Sequence, residues 1–96
     1  MNKDLPLYEI IEKGIKKLNT SSRPKPTLET LIVSIGAPKL ISNGLPLRRT
    51  IKNPEHKLYD YLAKKFSPER AYSLYNSYIR RLVSFERALQ CAKKPT

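Results

Sequence analysis

Residues 67–89 read SPERAYSLYNSYIRRLVSFERAL, and this stretch decides the fold. At 3.6 residues per turn, Ala71, Tyr75, Tyr78, Ile79, Leu82, Phe85 and Leu89 share one arc. Arg70, Ser73, Asn76, Ser77, Arg80, Arg81, Ser84 and Arg87 share the other. Ser67 offers a capping hydroxyl, Pro68 suits the first helical position, and Glu69 complements the helix dipole. The pattern predicts a helix from Pro68 to about Ala92, roughly 37 Å long at 1.5 Å per residue. Glu86 falls inside the apolar arc, where a carboxylate must find a cation or stay near water.

Upstream, Asn53-Pro54-Glu55 repeats the Ser67-Pro68-Glu69 signature and predicts a helix from Pro54 to about Phe66, so residues 53–96 form a helical pair. Residues 37–52 contain Ser42-Asn43-Gly44 and Leu45-Pro46 and hold no period. They are expected to be a connector, either mobile or held by a partner. Before them, Thr27 caps a short helix over 27–36, with Leu28, Leu31, Ile32 and Ile35 on one side and Gly36 and Pro38 as its stop. A strand over 31–35 is the alternative. TSSRPKP at 20–26 reads as an extended linker. Leu7, Ile10, Ile11, Gly14, Ile15 and Leu18 predict a first amphipathic helix over 5–19, with Asp4 as N-cap and Pro6 in the first turn. The expected fold is all-α: a small single domain of about four helices, with proline-marked connectors and a long C-terminal helix.

Charge sets the functional class. The 96 residues carry 19 Lys and Arg against 8 Asp and Glu, a net +11. From Arg48 onward there are twelve basic and four acidic residues, net +8, so the second half holds most of the attraction for an acidic partner. The lone Cys91 excludes an intramolecular disulfide and a two-thiolate metal site, and fits a reducing cytoplasm. No signal-peptide run or membrane-span-length apolar run is present, which points to a soluble cytoplasmic protein. Glycine-rich phosphate loops, HExxH, CxxC and nucleophile elbows are missing, and His56 has no Cys or paired acid beside it. A non-enzyme without cofactor or metal is expected.

Arg70, Arg80, Arg81 and Arg87 form the first candidate partner-binding group, because planar guanidinium groups make bidentate contacts to carboxylate or phosphate. Arg48, Arg49 and Lys52, at the end of the connector, form a second. Tyr72, Tyr75 and Tyr78, with Tyr59 and Tyr61 before them, fit three roles: core packing, interface anchors, or platforms for stacked bases.

In its length, its lone domain and its Phe66-Ser67-Pro68-Glu69 segment, the chain resembles the small basic anti-RecBCD proteins of lambdoid Salmonella phages. The resemblance implies a modulator that binds the host RecBCD helicase-nuclease, chiefly through RecC. Such a modulator redirects the enzyme from destroying phage ends toward phage recombination. It further implies a host cyclophilin-type prolyl isomerase acting on a cis Ser67-Pro68 bond, although only about 5–6% of X-Pro bonds in folded proteins are cis. A chain this basic cannot mimic DNA in a basic channel. It would dock on an acidic exterior patch or grip DNA near the enzyme. The alternatives are a small basic DNA- or RNA-binding regulator and a ribosome-associated protein. Glu9 and Glu12 on the first helix make a membrane surface a poor match.

Overall fold

Thr30 to Ser34 are five consecutive buried residues, more than one stripe of a surface helix can bury. They belong to the central helix of the computed structural model, which describes residues 7–93, with side chains as far as Cys91. Among the described residues there are four helices and no strand: α1 (Tyr8–Thr20), α2 (Leu28–Ser42), α3 (Pro54–Lys65) and α4 (Pro68–Lys93). α1, α3 and α4 all pack on α2, and α3 also packs on α4. Ile11 and Leu18 of α1, Leu31, Ile32, Val33 and Leu40 of α2, Leu58 and Leu62 of α3, and Ala71, Leu82 and Phe85 of α4 make one core. α4, about 39 Å at 26 residues, is the longest of the four helices.

Two glycines set how closely the helices cross. A Cβ on Gly14 of α1 would meet the Val33 side chain and lie 2.5 Å from the Glu29 carbonyl oxygen; one on Gly36 of α2 would lie 2.9 Å from Leu82 Cδ1 of α4. Gly36 is therefore a crossing point inside α2 and not the end of a helix.

α2 also runs past its expected stop, through Pro38 to Ser42. Interior proline costs about 3 kcal/mol. Full burial of Leu40 returns roughly 1.5–3 kcal/mol, and Ala37 is buried beside it, so packing outweighs the local stop signal. The real end is at Asn43-Gly44. Gly44, at φ 88°, donates its N–H to Ile41 O at 2.9 Å, and Leu45 N–H reaches Leu40 O at 3.1 Å, which is the Schellman pattern. At the other end the Thr27 cap is as expected: Thr27 and Thr30 exchange side-chain-to-backbone bonds in a capping box.

The remaining connector, residues 43–53, is irregular as expected, but carries restraints that the sequence did not show. The chain itself holds it. Asn19 donates through Nδ2 to Pro46 O and accepts through Oδ1 from Arg48 N–H at 2.9 Å, so one amide clips both sides of the segment. Arg49 donates to Ser21 O at 2.6 Å. Buried Ser34 donates to Thr30 O and accepts from Ile51 N–H at 2.9 Å.

α1 starts at Tyr8, after Leu7 at φ 61°; Asp4 and Pro6 lie outside the described residues. The two look-alike helix starts differ. Asn53 sits in the left-handed region at φ 51°, unlike the extended backbone of an ordinary N-cap, and its side chain makes no capping hydrogen bond. Ser67 caps as expected, accepting from Arg70 N–H at 3.3 Å, while its carbonyl accepts from Ala71 N–H at 2.8 Å. There is no cis peptide bond among the described residues, so the cis Ser67-Pro68 bond implied by the resemblance is corrected to trans. An N-cap followed by proline at the first helical position is trans chemistry.

Candidate docking surface

α4 exposes Arg70, Ser73, Arg80, Arg81, Ser84 and Arg87, half-buries Asn76 and Ser77, and turns Ala71, Leu82 and Phe85 into the core. The division into two arcs follows the helical period. The ion pairs among the described residues are Lys17–Glu29 at 3.6 Å and the exposed His56–Asp60 contact at 3.3 Å, so none of them involves an arginine of α4; His56, expected to have no acid beside it, has Asp60 one helical turn on. Arg80 and Arg87 sit about 10.5 Å apart along the axis.

Apolar surface lies beside these charges. Tyr72 is 63% exposed, and the half-buried Ile79 and Val83 follow it at i+7 and i+11. Arg80 and Arg87 flank this row, each four residues beyond a member of it or its neighbour, Asn76 and Val83. On the other edge the Arg70 guanidinium lies 5.5 Å from the ring centre of Phe66, itself 39% exposed, and Arg81 lies 5.8 Å from that of Tyr78.

The tyrosines divide accordingly. Tyr75 packs edge-to-face on Tyr59 of α3 with ring centres 6.4 Å apart. Burial and, after it, the Glu55 carboxylate raise its phenol above the ordinary value. Tyr78 is half-buried as well, which leaves Tyr72 as the exposed member of the three. Arg48, Arg49 and Lys52 are exposed on the clipped connector, whose hydrogen bonds run to α1, the turn after it and α2, and not to α4. They make a second basic area.

Glu86 is 7% exposed, beside Gly36 at the α2–α4 crossing. Desolvation raises its carboxyl above the usual range, and the Lys39 charge only partly counters this.

The residues of α3 and the linker form a feature that the helical pattern concealed. Pro26 and Tyr61, over the buried Leu31, line a groove of about 450 Å³, and Lys57, Asp60, Lys64 and Lys65 stand at it. The Lys65 ammonium lies 4.7 Å from the centre of the Tyr61 ring. The signal was the i, i+4, i+7 spacing of Lys57, Tyr61 and Lys64, but nothing in the sequence placed Pro26 opposite them.

Fold and surface together define a small all-α protein whose long helix carries exposed arginines, without an acid partner among the described residues, beside apolar residues. No family model, no curated protein and no solved structure matches the chain. Among the described residues no helix is long and apolar enough to cross a membrane, and no cluster of His, Cys, Asp and Glu could hold a metal ion.

Proposed function

We propose that the chain is a protein-docking modulator that engages an acidic surface of a larger partner through α4, without chemistry of its own. The observation that carries this reading is the set of Arg70, Arg80, Arg81 and Arg87, exposed and without an acid partner among the described residues, with Tyr72, Ile79 and Val83 alongside Arg80 and Arg87. Arginine next to an exposed aromatic residue is the composition of interface hot spots. Stacking of single-stranded bases is less well served, because Tyr75 and Tyr78 pack their rings against the fold and leave Tyr72 without neighbouring platforms.

The partner proposed is the host RecBCD helicase-nuclease, bound through RecC, on the strength of the resemblance carried by the Phe66-Ser67-Pro68-Glu69 segment. Binding would shift the enzyme from degrading phage ends toward phage recombination. The net +11 directs docking to an acidic exterior surface, with DNA leaving the enzyme as an additional neighbour. The test is a pull-down of the tagged chain from a bacterial host, nuclease-treated at moderate salt. Retention of RecBCD is the expected result. Recovery of nucleic acid alone, lost on nuclease treatment, would replace the modulator with a direct nucleic-acid binder.

A further inference from the structure

We propose that the groove between α3 and the linker is a second docking site, built for an extended acidic peptide segment that inserts one apolar side chain. It is separate from the α4 surface, since no residue of α4 lines it. The apolar surface open to a guest is Pro26 and the Tyr61 ring, with the fully buried Leu31 beneath, so an apolar group suits the place.

Charge fixes what flanks the inserted group. Lys57, Lys64 and Lys65 stand at the groove with Asp60 as the opposing charge, and Asp60 is already in contact with His56 Nε2 at 3.3 Å. Asp or Glu on either side of an apolar anchor matches this arrangement. The volume of about 450 Å³ accommodates a large side chain with the adjoining backbone. Lys65 lies over the Tyr61 ring, so its charge is held at the groove and not spread into solvent.

The probe is a fluorescein-labelled acidic nonapeptide with a central phenylalanine between aspartates and glutamates, titrated with the intact chain and read by fluorescence polarisation. A peptide of equal charge with serine in place of phenylalanine should bind at least roughly tenfold more weakly, as expected for loss of one buried aromatic side chain. The double variant Lys57→Glu, Lys64→Glu changes exposed positions and should lower affinity for the phenylalanine peptide by about tenfold or more through charge reversal. Its helicity, measured by circular dichroism, should match the parent. Arg80→Glu, Arg87→Glu should leave peptide binding unchanged, which separates this site from the α4 surface. Equal binding of the two peptides, indifference to the lysine reversals, equal loss with the arginine reversals, or displacement by a single-stranded oligonucleotide of equal charge would each overturn the proposal.

Discussion

Glu86 and the two crossing glycines show how single residues bear on this fold. A carboxyl whose folded pKa is raised binds its proton more tightly in the native state than in the unfolded one. Stability is therefore fully present below the ordinary carboxylate range and falls as pH rises toward the raised folded value. Glu86→Gln should remove that slope and be the more stable protein at neutral pH, as urea titrations across the acid range would register; a variant with the parent's slope would contradict the burial argument. Glu86 was recognisable in the sequence as an acid on an apolar arc. Its burial depended on the helix crossing it, because Gly36 lets α2 approach there. Gly14→Ala should cost about 1–3 kcal/mol of overpacking. Gly36→Ala should cost less, since its nearest obstacle is the end of the Leu82 side chain and not backbone. Equal midpoints in denaturant for the two variants would contradict this ranking.

At the scale of the element, α4 was legible because its cap, proline, dipole acid and hydrophobic period all agree, and it starts at Pro68 as expected. α2 was legible only to Gly36. A helix apolar on nearly every side shows no stripe, and its glycine and proline are local stop signals that burial of Ala37 and Leu40 overrides. Exposed Pro38 still leaves the Ser34 carbonyl without its helical donor. Pro38→Ala should therefore raise stability by up to about 3 kcal/mol, seen as a higher thermal midpoint, whereas a lower midpoint would mean that the proline is required where it stands. The connector's internal restraints were not legible because they come from residues 17 to 29 positions away in sequence, Ser34, Asn19 and Ser21. Asn19→Ala, which removes two hydrogen bonds, should cost about 1–3 kcal/mol and speed hydrogen exchange at the Arg48 amide. Exchange as slow as in the parent would show that Asn19 is not the clip.

For the whole molecule, one central helix gathers three others and leaves two surfaces of different character. The arginine face of α4 was readable from the helical wheel, since exposure follows the period. The groove against Pro26 was not, since it needs the linker brought over α3. A +11 protein binds many anions weakly, so the specific claim is that α4 recognises a protein and does so without DNA. The most direct measurement is the affinity of purified RecBCD for the immobilised chain at physiological salt in the absence of DNA, for the parent and for Arg80→Glu, Arg81→Glu. Saturable binding by the parent, weakened by about tenfold or more in the variant, is the predicted result. Absence of binding without DNA, or equal binding by both proteins, would contradict the account.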